Sequence, residues 1–137
     1  MKTSDFWKAW GGIAGVQSTL TVLFEQGFHQ RKLPLDRVAT LLATTPARRF
    51  QIPRKGSIVP GNDADLALVD LSAWHTLRSE DLLQRHPLSP YVGRTFRGIV
   101  RRTVRRGETI FQDGTIAAQT LGELVRPCKE HTCTNWA

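Results

Sequence analysis

Four histidines, His29, His75, His86 and His131, are scattered through the 137 residues with no His-x-His or His-Glu-x-x-His pair among them. A zinc site needs three or four ligands converging from short, recognisable spacings. Only Cys128, His131 and Cys133 lie close in sequence. Their segment has no pattern that would fix ligand geometry, so they read as incidental thiols in an unstructured tail. Asp63 and Asp65 stand two apart and would share one face of a strand, an arrangement open to acid–base work or cation binding. Gly61-Asn62-Asp63 is equally turn chemistry, in which Asn and Asp bond their own backbone, and that reading is preferred. No Gly-x-Ser-x-Gly elbow and no phosphate-binding loop occurs. Arg94, Arg97, Arg101, Arg102, Arg105 and Arg106 follow one another without an acid between them, as phosphate recognition would require. On a strand, however, Arg101 and Arg105 face one way and Arg102 and Arg106 the other. That divides the charge, and no nucleic-acid partner is expected. The stretch Gly11-Gly12-Ile13-Ala14-Gly15 places three glycines in five positions, suited to close approach of backbone to a ligand or a neighbour.

The elements that must position these residues fall into two kinds. Val16, Leu20, Leu23, Phe24 and Phe28 recur at three- and four-residue steps, so a helix is predicted from Val16 to about Gln30. Leu33-Pro34 breaks it. Leu35, Val38, Leu41 and Leu42 line a second helix with Asp36 in its first turn. Thr45-Pro46 reads as an N-cap and first helical residue, opening a separate short turn through Arg49. From Arg54 the chain is punctuated by Gly56, Pro60 and Gly61. The run Leu66-Ala67-Leu68-Val69, bounded by Asp65 and Asp70, reads as a strand. Ser79, Glu80 and Asp81 suggest one helical turn through Arg85. Residues 94–116 read as strands separated by Gly98, Gly107 and Asp113-Gly114, the last a hairpin signal. Residues 119–137 lack periodicity. Helices first and strands later make an α+β arrangement.

Length and composition bound what this can be. A complete (β/α)8 barrel takes about 250 residues, so the chain is one domain or part of one. Hydrophobic residues are 40% and charged residues 23%, a globular mixture. The formal charge of +7 favours anionic contacts without specifying a fold. Two cysteines are too few for a disulfide scaffold. No apolar run reaches the 18 or so residues of a membrane span, and Asp5 and Lys8 interrupt any signal-like stretch before Gly11. A cytoplasmic protein without membrane contact is expected.

Several segments, in order, resemble the cyclic amidohydrolases, and among them the allantoinases most. They are Lys8 to Gln17 (KAWGGIAGVQ), Leu41 to Phe50 (LLATTPARRF), Lys55 to Leu66 (KGSIVPGNDADL), Ser89 to Thr95 (SPYVGRT) and Arg105 to Phe111 (RRGETIF). The Lys-Gly-x-Ile-x-Pro-Gly-x-Asp-Ala-Asp-Leu pattern belongs to the whole superfamily. The pieces around Gly11 and Tyr91 look specifically like allantoinase, where hydantoinases usually have Asn at the place of Gly11 and Pro at that of Ala14. The resemblance covers about residues 1–118.

It implies a fragment. Residues 1–52 would be the last helical part of a (β/α)8 barrel. Residues 53–118 would be C-terminal strands of the accessory β-sandwich domain, and residues 119–137 an unstructured tail. Members bind two divalent metal ions, typically zinc, through a His-x-His pair, a carboxylated lysine, two further histidines and an aspartate in an Asp-His-Ser-Pro motif. The resemblance places all of these before the point where this chain begins. Met1 would match an internal methionine of longer relatives. No catalytic residue, metal ligand or cofactor is therefore expected in the chain. Gly11 and Gly12 would contact the amide edge of a flat ring substrate through their backbone. The complete enzyme would hydrolyse the cyclic amide of allantoin to allantoate in purine catabolism, as a homo-oligomer, and this chain alone would be inactive. The alternatives are another cyclic amidohydrolase of hydantoinase or dihydroorotase type, a small basic anion-binding protein using Arg94–Arg106, or a subunit completing an amidohydrolase encoded elsewhere. A fragment would expose sheet edges and helix faces, so a monomer that melts cooperatively would count against it.

Overall fold

The computed structural model describes residues 14–117 and 122–128. Two helical segments precede a four-stranded antiparallel sheet, the α+β order expected. The first segment, α1 (residues 16–30), opens as a 3-10 turn over Val16–Ser18 and is α-helical over Thr19–Val22. It then widens to π-helix over Leu23–Gln30. The second, α2 (residues 35–49), starts after Pro34 and runs α-helical over Leu35–Ala39, π-helical over Thr40–Thr44 and α-helical over Thr45–Arg49. Pro46 therefore lies inside a continuous helical segment and does not open a separate turn. Proline lacks the N–H that would bond Leu42, and its ring presses on that carbonyl. A widened turn immediately before it relieves the clash without ending the helix.

The sheet is a meander in the order β1-β2-β3-β4. It comprises β1 (Leu66–Thr76), β2 (Thr95–Arg105), β3 (Glu108–Gln112) and β4 (Thr115–Ile116). Asp113 and Gly114 both take positive φ, 46° and 88°, which is the twist a two-residue hairpin turn requires. Arg106 and Gly107 repeat the device between β2 and β3, at 48° and 88°. β1 is longer than its four-residue apolar run because a bulge carries it past Asp70. Asp70 pairs Ile99 and Trp74 pairs Arg97, leaving three residues of β1 against one of β2. The helical turn at Ser79–Asp81 is a single 3-10 turn, and Leu82 is already extended.

α1 lies on β2. Phe24, Leu77 and Phe96 are buried there, and Val38 and Ala47 are buried on α2. Glu25, only 9% exposed, sends its carboxylate to the sheet and accepts the Arg97 N–H at 2.9 Å. Gln30 bonds its other oxygen at 2.8 Å. Residues 122–128 have no regular secondary structure, yet they are tied to the body. The Cys128 N–H bonds the Gln51 carbonyl at 2.9 Å, and Glu123 pairs with Arg106. Cys128 is not a free thiol, contrary to what its sequence context suggests.

Candidate functional site

Gly11 and Gly12, the expected ring-contacting residues, lie outside the described residues, as do His131 and Cys133. The described chain picks up at the end of the glycine run. The Gly15 carbonyl accepts the Ser18 N–H at 3.0 Å and the Thr19 hydroxyl at 3.2 Å, closing the first turn of α1. Gln17 then reaches across to the turn that follows β1. Its Nε2 donates to the Asp81 carbonyl at 2.7 Å, and its Oε1 accepts the Leu83 N–H at 2.9 Å. A side-chain amide satisfied at both ends by one turn, more than sixty residues away, fixes how the helix entry meets the sheet. Asp81 in its turn accepts the Arg78 N–H at 2.8 Å and faces His75 Nε2 at 3.2 Å.

The Asp63/Asp65 pair is structural. Lys55 Nζ sits between the two carboxylates, 2.8 Å from Asp63, while Arg54 also reaches Asp63 at 3.2 Å. The Arg106 N–H bonds Asp65 at 2.7 Å and the Gly107 N–H bonds the Ala64 carbonyl at 3.1 Å. Burial works against both charges. The hydrogen bonds to Asp63 and Asp65 nevertheless hold the Lys55 ammonium above its ordinary pKa. Those from Lys55 and Arg106 likewise hold Asp65 below the carboxylate range. Two acids already bonded to cations and backbone are poor candidates for proton transfer. They pin the loop after α2 to the β2–β3 turn.

The arginine run is also internally engaged. Arg101 lies 3.4 Å from Asp70 and 3.7 Å from Asp113, and Arg105 lies 3.6 Å from Glu108. Arg106 pairs with Glu123, and Arg102 Nε donates to the Thr109 hydroxyl at 2.7 Å. Arg97 stands over the Trp74 ring and Arg94 over Tyr91, at 5.6 and 5.9 Å from the centroids. These contacts join neighbouring strands and turns and do not leave a row of guanidinium groups converging on one face.

Asp70, at the β1 bulge, accepts bonds from the Ser72 hydroxyl (2.7 Å), the Ser72 N–H (3.0 Å) and the Ala73 N–H (3.1 Å). These hold its carboxyl at about 2, against an ordinary 3.8. A carboxylate depressed in the folded state contributes stability above its unfolded pKa and loses it as pH falls through the folded one. Acid should therefore loosen the bulge between about pH 4 and pH 2. Amide exchange of residues 71–74 should accelerate across that window, and Asp70→Asn should flatten the dependence. A wild-type rate that follows only intrinsic exchange chemistry would contradict this.

The described histidines do not converge. His75 is engaged with Asp81, and His29 packs edge-on to Phe28 with ring centroids 4.8 Å apart. Among the described residues no group of three or more His, Cys, Asp or Glu side chains could hold a metal ion. Nor is any helix among them long and apolar enough to cross a membrane.

The family follows from comparison with known proteins. The sequence profile described as the amidohydrolase family matches residues 15–110, from the helix entry to β3. The chain belongs to the amidohydrolase family. Within it, the allantoinase of Rubrobacter xylanophilus is 55% identical over 126 residues, covering 92% of this chain and 28% of that protein. The allantoinase of Solibacter usitatus is 56% identical over 128 residues, covering 93% and 28%. The chain thus spans about 28% of the length of these amidohydrolases. Among solved structures it is similar to the L-hydantoinase (dihydropyrimidinase) of Arthrobacter aurescens. The TM-score is 0.78 at 29% identity, over 84% of this chain and 26% of that one. The D-hydantoinase (dihydropyrimidinase) of a Thermus species has a TM-score of 0.77 at 24% identity, over 83% and 25%, which bears on the fold alone.

Gln17, Glu25 and Asp70 are the positioning residues that the sequence reading passed over. Glu25 carried a signal, since it stands beside Phe24 on a helix whose apolar face meets the sheet. Asp70 carried a local one, since an Asp two residues before a Ser can accept that residue's N–H and hydroxyl. Gln17 carried none, because its partners are backbone groups that only the fold brings near.

Proposed function

We propose that the chain is the scaffold portion of an allantoinase-type amidohydrolase. Its helices would form the last part of a (β/α)8 barrel and its strands part of an accessory β-sandwich. The observation that carries the reading is the identity gradient: 55% to an allantoinase over 92% of the chain, against 29% to a hydantoinase of the same fold. The complete enzyme would open the ring of allantoin to allantoate in purine catabolism, in the cytoplasm and as a homo-oligomer. The described residues do not fit the two-metal centre that this chemistry implies, since none of their histidines shares a cluster with other ligands. The hydroxide-generating step would fall to residues other than those described. What this portion would supply is placement. Gly11 and Gly12 would offer backbone groups to the ring amide, and Gln17 would fix the helix entry that follows them. A nucleic-acid partner is not proposed, because the arginines are engaged within the sheet.

The test is a chimera in which this chain replaces the matched segment of the Rubrobacter xylanophilus allantoinase. The metal-loaded chimera is expected to open allantoin within about tenfold of the unmodified enzyme, a difference of ~1.4 kcal/mol in barrier. It should act more slowly on hydantoin and dihydrouracil. A folded, metal-loaded chimera that prefers hydantoin would move the assignment to the hydantoinase type.

A further inference from the structure

Asp113-Gly114 is the only aspartate–glycine step in the sequence, and it forms the tip of the β3–β4 hairpin. The Asp113 side chain is 57% exposed, and its ion pair with Arg101 is long, at 3.7 Å. A Cβ on Gly114 would meet nothing within 4 Å, so no side chain shields its peptide nitrogen. Among the described residues that N–H has no hydrogen-bond partner, because the pairing runs between Gln112 and Thr115 on either side of it. A carboxyl carbon and an unshielded, unbonded amide nitrogen are thus neighbours in the chain, and nothing further is needed to bring them together.

The other described aspartates lack this combination. Lys55 holds Asp63 and Asp65, Ser72 and the Ala73 N–H hold Asp70, and the Arg78 N–H holds Asp81 against His75. Asp36 lies in the first turn of α2, where the helix fixes its backbone. Each is followed by a residue with a side chain: Ala64, Leu66, Leu71, Leu82 or Arg37. Ring closure also requires the turn to open for an instant. Little opposes that at Asp113. β4 is two residues long with both exposed, and beyond it the Ala117 N–H closes the hairpin on the Ile110 carbonyl at 3.0 Å.

We propose that Asp113 is a site of spontaneous conversion to isoaspartate, and that the conversion releases β4. The Gly114 nitrogen bonds the Asp113 Cγ; its hydrogen and the carboxyl OH leave as water, and a succinimide ring remains. Water then opens the ring. Cleavage of the Cγ–N bond restores aspartate. Cleavage at the main-chain carbonyl sends the chain through Cβ and Cγ and leaves that carbonyl carbon as a free carboxylate. The water lost is regained, and no cofactor or oxidant takes part. The turn then holds one more backbone atom. The paired positive φ values of 46° and 88°, which match the twist of β3 and β4, are lost. The register of Phe111 with Ile116 and of Gln112 with Thr115 goes with them.

The test holds the full chain in warm neutral buffer and samples it over time. The peptide of residues 107–117 is expected to show first the loss of one water. A product of unchanged mass follows, which an isoaspartyl methyltransferase esterifies with S-adenosylmethionine. Asp113 should carry at least about ten times the label of any other described aspartate. Asp113→Glu, whose longer arm must close a larger ring, should lower the label at that step at least about tenfold. Asp113→Asn keeps the turn and its preference for positive φ, loses ammonia in place of water, and should form the same product faster. In the converted fraction, amides of Ile116 and Ala117 should exchange at least about tenfold faster than in the fresh chain. Label spread evenly over the aspartates, or undiminished in Asp113→Glu, overturns the site. Asp113→Asn that stays unlabelled does the same. Conversion that leaves Ile116 and Ala117 as protected as before overturns the release of β4.

Discussion

Gly56→Ala is expected to cost about 3 kcal/mol or more, from strain at a left-handed backbone position combined with overpacking. Gly56 has φ +89°, and a Cβ there would lie 2.6 Å from the Cβ of buried Ala47 and 3.1 Å from the Ala43 carbonyl. Neither neighbour can yield by rotating a side chain. One is a methyl fixed to the helix and the other is helix backbone. The Thr44 hydroxyl also bonds the Gly56 carbonyl at 2.7 Å, so displacing the loop breaks a second contact. The effect should be read in the chimera as amide exchange of residues 44–52, accelerated roughly a hundredfold for a loss of that size. Ala47→Gly removes the closest clash at a helix-propensity cost of about 1 kcal/mol. The double variant should therefore be more stable than Gly56→Ala alone. If the two losses simply add, the steric explanation is wrong.

Gly98→Ala should be comparably damaging, at about 2–4 kcal/mol. Gly98 has φ +106°, and an added Cβ would meet the Phe24 Cβ at 2.9 Å. Because the obstructing atom is a Cβ, no trimming of the Phe24 ring short of glycine makes room. α1 would have to move off β2, and the Arg97 N–H would leave the nearly buried Glu25 carboxylate. A carboxylate losing such a bond contributes part of the loss, typically about 1–3 kcal/mol. Exchange of the Arg97 amide should rise together with that of residues 22–28. Acceleration confined to the sheet would mean that the bulge, and not the helix contact, carries the strain.

The sequence made much of this fold legible, for local reasons. The three- and four-residue spacing marks the helical segment from Val16 and its buried Phe24, although Val16 itself is 91% exposed and Ser18 and Glu25 are buried instead. Asp113-Gly114 supplies the two positive φ values of its hairpin. Asp63 is structural, as the turn reading has it, but its carboxylate bonds Lys55 and Arg54 and not its own backbone, a pairing that depends on loop geometry. What sequence could not reveal was non-local. Pro46 looks like a helix start because the widened turn that accommodates it has no residue signature. β1 looks four residues long because the bulge at Asp70 interrupts its alternation. Gly56 and Gly98 look like ordinary loop and strand punctuation until Ala47 and Phe24 are seen against them. The braces at Gln17 and Glu25 bond backbone groups more than sixty residues away, which no spacing encodes. Gly11 and Gly12 rest on resemblance and lie outside the described residues.

The central proposal is that this chain would position and support within an allantoinase-type enzyme, while the metal-held chemistry would belong to the rest of such an enzyme. The measurement that tests it most directly is allantoate formation by the isolated chain, supplied with allantoin and zinc. The expected rate is indistinguishable from that of zinc and allantoin alone, at every chain concentration. Allantoate produced in proportion to the chain, saturating with allantoin and abolished by a chelator, would contradict it.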